Sequence, residues 1–188
     1  DAENCLGCMY LYGKGVKQDY FEAARLFMKA ALQGLAEAEN NLGYRYQYGQ
    51  GVWQDYSMAV KWFLKAALQG HAGAQNNLGY MYGSGLGVRQ DYEAAMKWYQ
   101  AAAEQGLACA EKNIGYMYES GHGVPQDYSW AIKWYRAAAD HGSSEALYDL
   151  GSLYETGRGV EKDYAEAARL YRKAAEQGAV AARYSRGE

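Results

Sequence analysis

Apolar residues recur at helical spacing in two segments of each stretch of 36 residues. In residues 35–70, Ala38, Leu42, Arg45 and Tyr46 stand at i, i+4, i+7 and i+8, which places them on one face of a helix. Other repeats have Met81, Met117 or Leu153 where Arg45 stands. A second segment has its own stripe, made of Ala59, Trp62, Phe63, Ala66 and Ala67. The pattern therefore predicts two helices, A and B, in each repeat.

Glycine and aspartate mark where these helices begin and end. The turn from Gly49 to Val52 supplies positive φ and ends helix A, Asp55 caps helix B, and Gly70 closes it. In two repeats a glutamate three residues after the aspartate predicts a reciprocal capping box, for Asp19 with Glu22 and for Asp163 with Glu166. Each unit is therefore a helix–turn–helix.

Every one of these signals returns after 36 residues. The Asp-Tyr pair, for example, begins at Asp19, Asp55, Asp91, Asp127 and Asp163. No insertion interrupts the phase, so the sequence predicts one all-α solenoid and no linker. The predicted repeats cover residues 1–34, 35–70, 71–106, 107–142 and 143–178. Residues 179–188 are expected to begin a sixth helix A or to form a C-terminal tail.

Composition narrows the classes of function. The chain of 188 residues contains 20 Tyr and 23 Gly but one Pro, and its net charge of −3 argues against nucleic-acid binding. No apolar run reaches the length of a membrane span. The start, Asp1 to Asn4, shows no signal peptide, although one could have been removed. Localisation in a bacterial cytoplasm, in the periplasm or outside the cell therefore stays open.

From Asn41 to Gly70 the residues read Asn-Leu-Gly-x-x-Tyr-x-x-Gly-x-Gly-Val-x-x-Asp-Tyr-x-x-Ala-x-x-Trp-x-x-x-Ala-Ala-x-x-Gly. This unit resembles the Sel1-like repeat, and its sequence is typical of bacterial members. The resemblance covers residues 1–178. It implies a right-handed α/α superhelix related to tetratricopeptide arrays, with helix A on the concave side. It also implies an adaptor for proteins and no enzyme activity.

Two alternatives remain beside the adaptor. A cysteine-rich branch of the family is linked to penicillin binding and β-lactamase activity, but the cysteines paired within each repeat of that branch are absent here. The other alternative is a purely structural spacer in a larger protein.

The ends of the array do not look like polar caps. Repeat one begins inside helix A at Asp1, and Arg186 stands where leucine belongs. We therefore expect a fragment of a longer array, or self-association through open ends.

Helix A carries a second stripe beside its core stripe, with asparagines next to tyrosines. Asn offers donors and acceptors that suit a peptide backbone, and Tyr is enriched at interfaces. By alignment with tetratricopeptide grooves, the predicted site for a protein or extended peptide consists of Asn40, Asn41, Tyr44, Tyr48, Asn76, Asn77, Tyr80, Lys112, Asn113, Tyr116 and Tyr148. In the alternative interpretation the tyrosines pack between repeats and the asparagines bond within the array.

No pattern of catalytic, metal-binding or cofactor-binding residues is recognisable. Cys5 and Cys8 are neighbours on one helix, where a disulfide is conceivable, but they lack the second pair that a zinc site needs. Free thiols are the favoured state. The three histidines, His71, His122 and His141, stand without a ligand partner at fixed spacing. We predict no catalytic residue, no metal and no cofactor.

Overall fold

The structure is a computed structural model, which describes the backbone of residues 2–186 and the side chains of residues 2–178. All of the regular structure in this part of the chain is helical. The ten helices of the described residues are α1 Ala2–Tyr12, α2 Tyr20–Leu32, α3 Ala36–Tyr48, α4 Tyr56–Leu68, α5 Ala72–Ser84, α6 Tyr92–Ala103, α7 Ala108–Ser120, α8 Tyr128–Asp140, α9 Ser144–Thr156 and α10 Tyr164–Arg186. Odd-numbered helices are the predicted helices A, and even-numbered helices are the predicted helices B.

The chain divides inside α6 into two compact units. Unit 1 ends at Trp98, and unit 2 begins at Tyr99. In unit 1, α3 packs against both α2 and α4, and α4 packs against α5. In unit 2, α8 packs against both α7 and α9, and α9 packs against α10. Each unit is therefore built from consecutive helices in contact, as expected of stacked helical hairpins.

The predicted core stripes are buried. Ala38, Leu42 and Phe63 have no exposed surface, and Arg45 keeps only 8% of its surface exposed. A side chain at Gly43 would meet the ring of Phe63, since an added Cβ would lie 2.5 Å from its Cε1. The glycine of the Leu-Gly pair is therefore needed because the aromatic ring of helix B lies directly against helix A.

The second glycine of the turn joins one repeat to the repeat before it. Gly51 has φ of +75°, and a Cβ there would lie 1.9 Å from the carbonyl oxygen of Tyr20. Gly87 makes the same approach to the backbone of Tyr56. Only glycine satisfies both the left-handed backbone and the close packing between repeats.

Two local expectations need correction. Asp19 and Asp163 do cap α2 and α10 through their carboxylates. The reciprocal half of the capping box is absent, because the backbone N–H of each aspartate donates to a carbonyl of the preceding helix A. Glu22 and Glu166 bind Arg25 and Arg169 instead.

The second correction concerns the end of the array. By the period of 36 residues, Gly178 should close the last helix B as Gly70 closes helix B of repeat two, but α10 continues through Gly178 to Arg186. Within the described residues there is therefore no turn between a fifth helix B and a sixth helix A. Of the predicted sixth unit or tail, residues 179–188, Gly187 and Glu188 lie outside the described residues, as does Asp1.

Candidate functional site

Asparagines join successive helices A in unit 1. Nδ2 of Asn41 donates to Oδ1 of Asn4 at 3.1 Å, and one repeat later Nδ2 of Asn77 donates to Oδ1 of Asn40 at 2.9 Å. Asn40 and Asn77 are both buried. These amides bond within the array, as the alternative interpretation expected, and hold α1, α3 and α5 side by side.

Tyr44 also contributes to the packing between repeats. Its hydroxyl donates to Oδ1 of Asn77 at 3.0 Å. Its ring meets Phe63 edge-on, with centroids 5.6 Å apart, and stacks on Tyr48 at 6.1 Å. The ring is half-buried. Tyr44 is therefore bound into the structure on three sides, although the sequence placed it in the binding stripe.

Four other tyrosines of the predicted site are exposed. In unit 1, Tyr48 is 59% exposed and Tyr80 46% exposed; in unit 2, Tyr116 is 55% and Tyr148 60% exposed. In each unit, we call the side of the odd-numbered helices that carries these tyrosines the helix A face. The three remaining predicted residues, Asn76, Lys112 and Asn113, are half-buried. Asn76 and Asn113 have interaction partners within the protein.

Two residues next to this face were not in the predicted site. Tyr12 occupies in α1 the position that Tyr48 occupies in α3, and it is 65% exposed. Arg45 is buried, and its Nε and Nη1 atoms make no hydrogen bond. The signal for Arg45 was in the sequence, as a charged residue at a position that is apolar in other repeats. Sequence alone did not show that it would stay unpaired.

In unit 2 a carboxyl group occupies a position of the asparagine stripe. Asp149 stands where repeats two to four have Asn41, Asn77 and Asn113. Burial raises its pKa to about 6, and the charge of Lys112 opposes that rise only in part. The carboxylates of Glu119 and Glu145 push the pKa further upwards. This group therefore titrates well above the range of an ordinary aspartate.

The histidines and cysteines have structural surroundings. Nδ1 of His71 accepts from the backbone N–H of Ala74 and caps α5, while its Nε2 meets Glu37 at 2.8 Å. His141 meets the buried Glu111 at 2.8 Å. The three cysteines are free thiols. In the part of the chain that the structure describes, no group of three or more potential metal ligands is present.

Taken with the helix pairing, these features define an all-α protein of repeated helical hairpins. No helix among the described residues combines the length and apolar character of a membrane span. A family model, the Sel1 repeat, matches residues 1–35, 36–71, 72–107, 110–143 and 144–178. The chain belongs to the Sel1 repeat family, whose members generally serve as scaffolds for protein interaction.

Solved structures of bacterial proteins are similar to this chain. A protective antigen of uropathogenic Escherichia coli with an SLR fold is 42% identical, with a TM-score of 0.84. The match covers 94% of this chain and 38% of the antigen. A Sel1 repeat protein from Oxalobacter formigenes is 41% identical, with a TM-score of 0.87 over 94% of this chain and 72% of its own length. This chain therefore spans well under half of the first of these proteins.

A third solved structure agrees in fold alone. It is a Sel1 repeat protein from Klebsiella pneumoniae, 21% identical, with a TM-score of 0.64 over 94% of this chain and 86% of its own. Among curated proteins, no significant match is found.

Proposed function

We propose that this chain is a scaffold that binds an extended segment of a partner protein on the helix A face. The supporting observation is that some aromatic and amide side chains of this stripe bond within the array, while others are exposed to solvent. Asn40, Asn41, Asn77 and Tyr44 bond to one another or to neighbouring repeats. The exposed tyrosines beside them keep large aromatic surface open to solvent.

The chemistry of the exposed residues fits a peptide. A tyrosine ring offers rigid apolar area and a hydroxyl that can donate or accept a hydrogen bond. Tyrosines that project from helices lose little backbone freedom on binding, because the helices already fix the backbone. Half-buried Lys112 is the cation of the predicted site in unit 2. This face therefore favours an extended, mixed-polarity segment and has no cluster of cations for a strongly acidic one.

Tyr80 is the most informative position to test. Replacing it with alanine should weaken binding by roughly 1–2 kcal/mol, about tenfold, because a truncated anchor loses its buried contact area. The helical circular dichroism should stay unchanged, since the ring is nearly half exposed. The partner is first captured by affinity pull-down with the wild-type chain, and its affinity for each variant is then measured by calorimetry.

The matched control lies two residues further along the same helix. Tyr82 packs against the buried cluster that contains Phe63, Leu78 and Met81, so Tyr82→Ala should destabilise the fold. The proposal is wrong if Tyr80→Ala keeps the full affinity, or if it melts the protein as much as Tyr82→Ala. Turnover of nitrocefin by the purified chain would support the β-lactamase alternative in its place.

A further inference from the structure

The unpaired guanidinium of Arg45 is the most unusual electrostatic feature of unit 1. The side chain lies on α3, and its residue keeps 8% of its surface exposed. Nε and Nη1 are buried and have no hydrogen-bond partner. Among the described residues, no carboxylate forms an ion pair with it.

The groups around Arg45 do not neutralise it. Burial is the main influence on it and lowers the pKa of its guanidinium. The side chains that act on it electrostatically are Tyr12, Tyr20, Cys8 and Tyr44. Tyrosine and cysteine are uncharged near neutral pH, whereas arginine keeps its proton even when it is buried. Among the described side chains that act directly on Arg45, none therefore carries a negative charge; the nearest indirect one is Glu37, which acts on Cys8.

An uncompensated buried charge is costly, and an entering anion would remove that cost. A carboxylate matches the guanidinium fork with two parallel hydrogen bonds, and such a pair gains strength where water is excluded. Tyr12, which acts on the guanidinium, is 65% exposed, so the site adjoins solvent-exposed surface. The hydroxyl groups of Tyr12 and Tyr20 are additional donors for an anion, whereas the hydroxyl of Tyr44 already donates to Asn77.

We propose that the guanidinium of Arg45, beside Cys8 and Tyr12 of α1, binds one carboxylate group that is carried by a peptide partner. This inference deepens the function proposed above and rests on it, because Tyr44, which acts on Arg45, stacks on Tyr48 of the helix A face. It assigns the partner a feature that the tyrosines alone do not specify. The bound segment carries a single acidic group, either an Asp or Glu side chain or a C-terminal carboxylate.

The site is tested with small molecules, so the result does not depend on finding the partner. The Nε–H resonance of Arg45 is followed by 15N NMR while N-acetylglycine or the α-amide of N-acetylaspartic acid is added at constant ionic strength. N-acetylglycine imitates a C-terminal carboxylate, and the aspartic acid derivative imitates a side chain. We expect a saturable shift of the Arg45 resonance, with the tighter of the two compounds identifying the source of the carboxylate.

Arg45→Met is the matched control, because Met81 and Met117 occupy the same position in the next two repeats. It should remove the saturable response and leave the remaining arginine resonances unchanged. Arg45→Lys keeps the charge but not the fork, and should bind the same compounds more weakly. It also serves as the comparison if the methionine variant does not fold.

Two results would overturn the proposal. In the first, the Arg45 resonance does not respond in a saturable way to either carboxylate, and Arg45 is then a purely structural residue. In the second, inorganic phosphate binds at least tenfold more tightly than both carboxylates, and the ligand class is then wrong. The titrations contain no protein partner, so they are independent of the Tyr80 experiment. If Tyr80→Ala does not weaken binding of the protein partner, that result counts against the tyrosine surface and not against the carboxylate site.

Discussion

Arg45 occupies a position that is Met9, Met81, Met117 or Leu153 in the other repeats. The last three of these are buried among apolar side chains. A single substitution therefore places a cation in a site that the repeat builds for an apolar group. Where charged residues persist in such places without a partner, they reduce stability unless a ligand compensates for them.

This cost gives the first stability prediction. Arg45→Met should raise the free energy of unfolding of the ligand-free protein by roughly 1–4 kcal/mol, because it removes an unpaired buried charge and restores the apolar contact. The measurement is urea unfolding followed by circular dichroism. Lys61→Met serves as the comparison, since Lys61 is exposed on α4 and should change little. A destabilised Arg45→Met variant would show that the guanidinium stabilises unit 1 in a way that these contacts do not explain.

Asp149 gives a prediction about pH. Its folded-state pKa of about 6 lies above the ordinary value of 3.8. Between pH 4 and pH 6 the folded state therefore binds more protons than the unfolded state, and stability falls as the pH rises through that window. Asp149→Asn, which restores the residue of repeats two to four, should stabilise the protein at pH 7.5 by about 1 kcal/mol, because partial exposure screens the charge.

The effect should disappear at low pH. At pH 4 Asp149 is protonated in the folded state, so the melting temperatures of the wild type and Asp149→Asn should converge. Glu161→Gln, at an exposed turn position, provides the charge-matched control and should show no such pH dependence. Equal stability of the wild type and Asp149→Asn at pH 7.5 would mean that the carboxyl group is well solvated.

The helices themselves were predictable because their signals are local. Helical spacing, the capping aspartates and the glycines in the turns all act within a few residues, and the same signals recur in each of the five repeats. The boundaries fail where a local signal has a competitor from another element. The capping boxes are incomplete because the N–H groups of Asp19 and Asp163 bond to the preceding helix A. The continuation of α10 beyond Gly178 shows that a glycine alone does not end a helix.

The turn between helices A and B gives a prediction about how the elements pack. Gly51→Ala should destabilise unit 1 strongly, because its Cβ would overlap the backbone of Tyr20 in addition to straining φ. Gly34→Ala is the matched variant: its φ is also positive, at +82°, but nothing lies within 4 Å of the added Cβ. We expect a loss of about 1–2 kcal/mol for Gly34→Ala, and clearly more for Gly51→Ala. Thermal unfolding distinguishes them, and equal losses would mean that the turn moves away without cost.

Each unit of the molecule is a series of contacts between neighbouring helices, and this decides how far the site could be predicted. The period of the sequence predicts which residues lie on helix A, but it does not say whether a polar group faces solvent or the next repeat. Asn77 and Tyr80 lie one turn apart on α5, yet Asn77 is buried and hydrogen-bonded, whereas Tyr80 is nearly half exposed. Such differences depend on partners 33 to 37 residues away, which short-range spacing does not reveal.

The same architecture predicts that damage stays local. Asn77 bonds to both Asn40 and Tyr44, so Asn77→Ala removes two hydrogen bonds between repeats and should cost roughly 1–3 kcal/mol. In an array where each repeat contacts only its neighbours, this loss acts first on the helices that the bonds join. Hydrogen exchange followed by mass spectrometry should therefore show faster exchange in α3 and α5, and unchanged exchange in α9.

Lys61→Ala is the control for this experiment, because Lys61 lies in the same unit but is exposed and outside the asparagine bonds. It should leave the exchange of all three helices unchanged. Faster exchange of α9 together with α3 and α5 in the Asn77 variant would mean that the array unfolds as one cooperative body. Unchanged exchange throughout would mean that the asparagine bonds add nothing to the stability of the fold. Their place in the structure would then be a reason to reconsider Asn40, Asn41 and Asn77 as residues kept for binding.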